Sequence, residues 1–446
     1  MISRNILHDL QQWKTNDYRK PLILRGARQV GKTTVINLFG STYDNFLSFN
    51  LENRESRRLF EEEEPLRAKV GRMFAWKGLK QNPGDTLIFI DEIQNSPQTI
   101  ALLRYFYEEL PHLHIITAGS LLENLVDVKT SFPVGRVQYL ALRPCSFREF
   151  AAAMGHERQY EYLREHPEES SSFHETMMSL FNQYTLIGGM PEAVQRYCDH
   201  RDALAMDDVY ETLLQAYRDD VEKYVRKSKL TEVIRFILAQ GWNYAGEIIT
   251  LGNFGHSGYR STDVREALQL LHKAMLLETV YPTNSAQMPI TPNMRRAPKL
   301  IWLDTGLVNY AARIRQEVIT ATTLQDAWRG RIAEHIVAQE LLTLSSKVSE
   351  TRSFWSKNNG GQGAEVDFVW AADSLLIPIE VKAGHNSHLR SLHSFIDASP
   401  YHIAVRVWSG PFQVDDELTT MGKKSFKLIN LPFYMVGMLN EIVARV

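Results

Sequence analysis

Short, continuous apolar runs separated by polar, helix-forming stretches dominate the first part of the chain. PLILRG (21–26), FLSFNLEN (46–53), TLIFIDEI (86–93) and LHIITAGS (113–120) read as strands. Such runs suit strands buried on both faces. Alternating with helices, they predict an α/β unit with a parallel sheet covered on both sides. VQYLALRP (137–144) adds a further strand ahead of a helix that begins at Ser146. Residues 1–20 have the spacing of a short amphipathic helix with a basic end.

The period then changes. Residues 146–225 are helix-rich, with one strong break at Ile187-Gly188-Gly189-Met190-Pro191. Residues 230–280 read as three short helices. The last opens at Ser261-Thr262-Asp263, good N-cap chemistry, and continues VREALQLLHKAMLL with apolar steps of three and four. VYPT (280–283) and PKLIWLD (298–304) predict a hairpin, so this stretch suggests a winged helix. The final third restarts with a helix over GRIAEHIVAQELLTL (330–344). Strands AEVDFVW (364–370), LLIPIEVKA (375–383) and YHIAVRVW (401–408) follow.

At 446 residues the chain is long for one compact unit. With 44% hydrophobic and 23% charged residues its composition is that of a soluble globular protein. A formal net charge of −2 argues against a wholesale polyanion coat, while local basic patches stay open. The two cysteines, Cys145 and Cys198, exclude a disulfide framework and form no zinc-like cluster. That fits a reducing, cytoplasmic setting. The polar start is unlike a signal sequence, and no apolar run spans a bilayer, so no membrane partner is expected.

Gly26-Ala27-Arg28-Gln29-Val30-Gly31-Lys32-Thr33 matches GxxxxGK[ST], between an apolar strand and a helix that continues through Thr34. Glycines let backbone N–H groups wrap a phosphate, and the helix N-terminus adds its positive dipole end. Lys32 supplies a compact charge for the β/γ-phosphates, and Thr33 a hard oxygen for Mg²⁺. Asp91 and Glu92 end the LIFI strand. Two acids can simply cap a strand. Beside a P-loop, Asp91 is expected to hold the Mg²⁺ shell and Glu92 to polarise the attacking water. Ser120, ending the next strand, is a candidate γ-phosphate sensor, and Arg136 a candidate arginine finger or sensor. ATP and Mg²⁺ are the expected ligands.

GARQVGKT, LIFIDE and TAGS together resemble AAA-type ATPases. VGRVQYLALRPCSFREF (134–150) resembles that superfamily's last core strand followed by a helical lid.

A second constellation lies in the last third. Glu380 and Lys382 share one strand face by alternation, and Asp367 sits a hairpin's distance upstream. Carboxylates from two paired strands can hold one Mg²⁺ while a lysine orients water. Glu334, on the preceding helix, is a candidate further ligand. GRIAEHIVAQEL, AEVDFVW and IPIEVKAG resemble the PD-(D/E)xK restriction-endonuclease-like nucleases, although Val366 replaces the proline before Asp367.

The full order resembles prokaryotic AAA-type ATPases with a C-terminal domain of unknown function whose core is restriction-endonuclease-like; KLIWLDTGLVNY (299–310) resembles that domain's opening. The implied division is an ATPase core over 1–150, a helical lid over 151–228, a winged-helix-like domain over 229–300 and the nuclease-like α/β domain over 301–446. Arg260, Arg265 and Lys273, with Arg295, Arg296 and Lys299 around the wing, are candidate DNA contacts. Arg218, Lys223, Arg226, Lys227 and Lys229 read as a solvated helix surface. The expected function is an ATPase coupled to a nuclease-like domain and acting on DNA. The alternative is an ATP-dependent conformational switch with a silent nuclease-like scaffold and a protein partner or self-association.

Overall fold

The computed structural model describes residues 2–80, 85–119, 133–224, 228–320, 330–357, 363–372, 374–382 and 389–446. The apolar runs of the first part form five strands: β1 Leu22–Arg25, β2 Asn45–Asn50, β3 Thr86–Asp91, β4 His114–Gly119 and β5 Gln138–Ala141. They make one parallel sheet in the order β2-β3-β4-β1-β5. Side-chain alternation splits them between two cores. Leu22, Leu24, Leu87, Phe89 and Ile116 meet Leu10, Trp13, Ile36 and Phe39 on one face. Ile23, Leu47, Ile88, Ile90 and Ile115 meet Val70, Met73, Leu103 and Phe106 on the other. Both faces are covered, as the continuous apolar runs require.

The helix Phe147–Ala153 begins where expected, because Ser146 and Glu149 form a reciprocal capping box. The break after the helix Ser170–Ile187 is sharp. Gly188 takes a φ of 74°, and Pro191 opens the helix Pro191–His200. A Cβ on Gly189 would overlap the carbonyl of Cys145, and one on Gly188 would overlap the carboxylate of Asp304. The double glycine lets backbones from two regions touch.

The helices Ser228–Gln240 and Ser261–Lys273 precede a two-stranded antiparallel hairpin of β6 Leu277–Val280 and β8 Lys299–Trp302. Ile248 forms an isolated antiparallel bridge to Lys299. The hairpin therefore uses 277–280 rather than the expected 280–283. Pro282 has no N–H to donate to a ladder. β7, Pro282–Thr283, instead runs parallel to β9, Ser353–Ser356, as the edge of a second sheet.

That second sheet is mixed. Its further strands are β10 Glu365–Ala372, β11 Leu375–Val381, β12 Ile403–Trp408, β13 Gln413–Leu418 and β14 Ser425–Pro432. The order is β13-β14-β12-β11-β10-β9-β7. β10 and β11 form an antiparallel pair, and β11, β12 and β14 run parallel. Leu392, Phe395 and Ile396 of the helix Arg390–Ala398 pack on it with Val366, Val369 and Leu376. The sheet takes its edge strand from ahead of residue 301.

The helix Arg331–Thr343 ties the parts together. Buried Glu340 accepts from Tyr184 Oη at 2.7 Å and from the Phe147 backbone at 3.0 Å. His335 Nε2 accepts from the Trp302 backbone N–H at 3.0 Å, which leaves Nδ1 to donate to Thr305 Oγ1 at 2.8 Å. Among the described residues, no helix is long and apolar enough to cross a membrane.

Candidate functional site

The sheet order inserts β4 between β1 and β3, and parallel strands bring all their C-terminal ends to one edge. The loop 26–31 leaves β1 there, and Asp91 ends β3 there. A Cβ on Gly26 would fall 2.5 Å from the carbonyl oxygen of Leu142, so only glycine allows the loop to start so close to its neighbour. Gly31, at a φ of 94°, delivers the chain into the helix Lys32–Gly40. Gln29 also adopts positive φ, at 64°.

Lys32 is buried, and its ammonium donates to the carbonyls of Gly26 and Ala27 at 2.9 and 2.8 Å. Burial lowers its pKa to about 8, against the opposing pull of Glu92 and Asp91. Thr33 Oγ1 donates to Asp91 Oδ2 at 2.6 Å. The two expected Mg²⁺ ligands are thus neighbours, a pair of hard oxygens that suits that ion. Glu92 has left-handed backbone, with φ at 53°, and accepts from the Gln94 amide. Burial, then the nearby Asp91 charge, raises the Glu92 carboxyl.

Lys32, Thr33 and Glu92 border a cavity of 580 Å³, a size that suits a small-molecule ligand. Arg28, Gln29, Gly31, Lys32, Thr33 and Thr34 form one wall with Glu92. Pro191, Glu192 and Gln195, at the start of the helix Pro191–His200, face them. The glycine break therefore places a helix N-terminus across from the P-loop. Ala27 and Val30 turn inward to the core.

Three supports were not legible as site residues. Arg4 donates to the Val30 carbonyl at 2.9 Å and pairs with Glu149 at 3.1 Å, so the segment ahead of the helix Ile6–Thr15 braces the loop. Asp220, on the helix Asp207–Tyr224, ion-pairs with Arg28. Tyr217 Oη donates to the Arg28 carbonyl at 3.4 Å. The sequence offers only a Tyr and an Asp three apart on a helix, too common to single out.

Arg136 sits elsewhere. It precedes β5, whose Gln138 pairs with Leu22 at the start of β1, so it lies at the opposite edge of the sheet from the P-loop. It is held by Glu108 at 3.0 Å. A sensor role toward its own chain's nucleotide is closed by that position, and a finger role would need a second copy. Ser120, the other candidate sensor, lies outside the described residues.

In the second sheet the β10–β11 register pairs Phe368 with Ile379, which sets Asp367 opposite Glu380. Asp367 Oδ2 accepts from the Val381 backbone at 2.8 Å. Lys382 reaches Glu380 at 3.1 Å, as alternation predicts. The expected ligands Glu334 and Asp367, however, meet another cation. Lys299 Nζ lies 3.3 Å from Glu334, 3.1 Å from Glu365 and 3.7 Å from Asp367. Burial would lower the Lys299 ammonium, but these three acids outweigh it and hold it well above its ordinary range. Burial, then Asp367, raises Glu334 and Glu380 each to about 7.

Arg260 is exposed and held by Asp263 at 3.2 Å, and Asp263 also takes Lys229 at 2.6 Å. Arg295 is exposed, while Arg265 and Arg296 are partly covered. Arg218 is also partly covered. Arg226 and Lys227 lie outside the described residues, and so does the side chain of Lys223.

Three family models match the chain in succession. They are an AAA domain over residues 18–151, a domain of unknown function (DUF8612) over 178–318 and a second domain of unknown function (DUF4143) over 329–434. No curated protein matches the chain. Among solved structures the chain is similar to a Walker-type ATPase of Pyrococcus abyssi at 14% identity and a TM-score of 0.40, covering 70% of this chain and 96% of that one. It is also similar to the Orc1 protein of Aeropyrum pernix, in complex with DNA, at 10% identity and a TM-score of 0.27, covering 70% and 93%. A third is a singly substituted RuvB of Thermotoga maritima, at 15% identity and a TM-score of 0.28, covering 66% and 93%. Residues 18–151 thus match an AAA domain, and they carry the parallel sheet and phosphate-binding loop of a P-loop fold.

Proposed function

We propose that the protein binds and hydrolyses ATP with Mg²⁺ and uses the cycle to switch the arrangement of its helical and C-terminal parts. The observation that carries this reading is the convergence of Lys32, Thr33, Asp91 and Glu92 at one strand edge, beside a cavity of 580 Å³. The loop N–H groups and the helix Lys32–Gly40 receive the phosphates. Lys32 leaves the carbonyls of Gly26 and Ala27 to meet them. Thr33 and Asp91 would hold Mg²⁺, which would supply charge neutralisation at the phosphate oxygens. Glu92 orients the attacking water and takes its proton.

Two links support transmission. Arg28 in the loop is clasped by Asp220 on the helix Asp207–Tyr224. β8 runs from Lys299 to Trp302, and Ile301 and Trp302 line a second cavity, of 360 Å³, together with Ala27 and Val30 behind the loop. We read residues 229–300 as winged-helix-like and the last sheet as restriction-endonuclease-like. Lys299 within the acidic centre favours a silent scaffold over a nuclease, and the Arg260–Asp263–Lys229 cluster favours a protein partner over DNA.

Mg²⁺-dependent ATP hydrolysis with and without DNA tests the reading. Thr33→Ala and Glu92→Gln are each expected to lower kcat by about 100-fold or more, with Glu92→Gln still binding ATP. Turnover that survives both changes would sink it. Stimulation by DNA would restore the DNA-handling alternative.

A further inference from the structure

The helix-Glu, Asp and E-x-K arrangement of the C-terminal sheet implies a divalent ion, but a different cation is built into it. Lys299 is 3% exposed, and three carboxylates surround its ammonium at 3.1 to 3.7 Å. The rings of Phe354 and Phe368 stand 5.1 and 5.8 Å from the same nitrogen. Its backbone is fixed from two sides, by Val280 in β6 and by the bridge to Ile248. This is a seated group, not a surface side chain that happens to fall inward.

Mg²⁺ draws carboxylate oxygens to about 2.1 Å. An ion sharing Glu334 and Asp367 with Lys299 would meet the ammonium's charge at close range in a poorly solvated site. Among the described residues, no group of three or more His, Cys, Asp or Glu is arranged to hold a metal ion. The residues present do not fit a divalent ion while Lys299 stays.

We infer that Lys299 is the resident cation of this centre, seated where a divalent ion would bind and fastening the hairpin of β6 and β8 to the C-terminal sheet. The inference rests on the scaffold reading above and is independent of ATP hydrolysis. Glu380 stands outside these contacts: Lys382 reaches its Oε1, and among the described residues its Oε2 has no hydrogen-bond partner. Removing the lysine would leave Glu334, Glu365 and Asp367 around one vacated space.

The test is Mn²⁺ binding to the nucleotide-free, EDTA-treated full chain, followed by electron paramagnetic resonance of the free ion. Each protein carries Thr33→Ala to remove the ATP site. With Lys299 intact, Asp367→Asn is expected to leave Mn²⁺ binding unchanged. Lys299→Met is expected to add one Mn²⁺ site, at least about tenfold tighter than any in its parent, and Asp367→Asn should abolish it. A Mn²⁺ site present with Lys299 intact and lost in Asp367→Asn would overturn the inference, as would a folded Lys299→Met that gains no site. If Lys299→Met does not fold, the comparison with and without Asp367→Asn decides by itself: equal binding supports the resident lysine, and lost binding refutes it. Absent ATP turnover would refute the ATPase proposal without touching this result.

Discussion

Tyr184 donates its hydroxyl to Glu340 at 2.7 Å, joining the helix Ser170–Ile187 to the helix Arg331–Thr343. The same carboxylate accepts from the Phe147 backbone, so one buried acid touches three segments far apart in sequence. Burial raises Glu340 to about 7 from 4.5, outweighing the hydrogen bonds from Tyr184 and Phe147. Between those values the folded chain holds a proton that the unfolded chain has lost. Its contribution is therefore fully present below about pH 4.5 and is lost as pH rises toward 7. Glu340→Gln keeps an acceptor oxygen and removes the titration. Chemical denaturation from pH 4.5 to 8 is expected to show a shallower fall in stability for the variant, by up to about 3 kcal/mol over the range.

Lys32 gives a second pH signature, at the nucleotide site and at higher pH. Its pKa of about 8 means the ammonium is lost near and above that pH, and only the ammonium attracts phosphate. ATP affinity is expected to weaken by up to about tenfold per pH unit above 8. Calorimetry at pH 8 in buffers of different ionisation enthalpy should show proton uptake on binding. No uptake and a flat affinity from pH 7 to 9 would contradict the burial of this lysine.

Arg28 and Asp220 pair across the join between the loop and the helix Asp207–Tyr224. Arg28 is 39% exposed on its side chain, so the pair's direct worth to stability is small. Its expected effect is on coupling. Arg28→Ala and Asp220→Ala should each raise the KM for ATP about two- to tenfold, and the double variant should be no worse than either alone. Additive losses would mean the contact transmits nothing.

Gly189 lies against Cys145, whose N–H donates to the Gly189 carbonyl at 2.6 Å, while the Gly189 N–H donates to Asp304 at 2.5 Å. Alanine there has no room beside the Cys145 carbonyl. Gly189→Ala is expected to destabilise the chain by about 2 kcal/mol or more, read as a shift in the denaturant midpoint. Because Pro191 lines the nucleotide cavity, ATP affinity should fall with it.

The first sheet was legible because each strand is a continuous apolar run, and a run buried on both faces needs no partner's identity to be recognised. The loop and the acids at Asp91 and Glu92 were legible because their chemistry demands fixed spacing. β9, β13 and β14 escaped notice: β13 alternates across a polar edge, QVDDEL, and resembles a loop in composition. The Lys299 contact escaped for a different reason. It joins residues 35 apart through a hairpin whose loop changes sheets, and no local periodicity encodes such a meeting. The position of Arg136 was not legible, because a glycine-arginine pair near the core says nothing about which end of a strand it occupies.

β7 has a consequence for how the chain is assembled in time. As synthesis proceeds, Pro282, Thr283 and Lys299 emerge before β9, β10 and the helix Arg331–Thr343 exist. An edge strand and a positive charge must then wait in water for a sheet and a ring of acids still unmade. A fragment beginning at residue 301 would carry that ring without its countercharge, and one ending there would carry a lysine with no acids to receive it. Neither half is a finished object; the junction is completed by both at once.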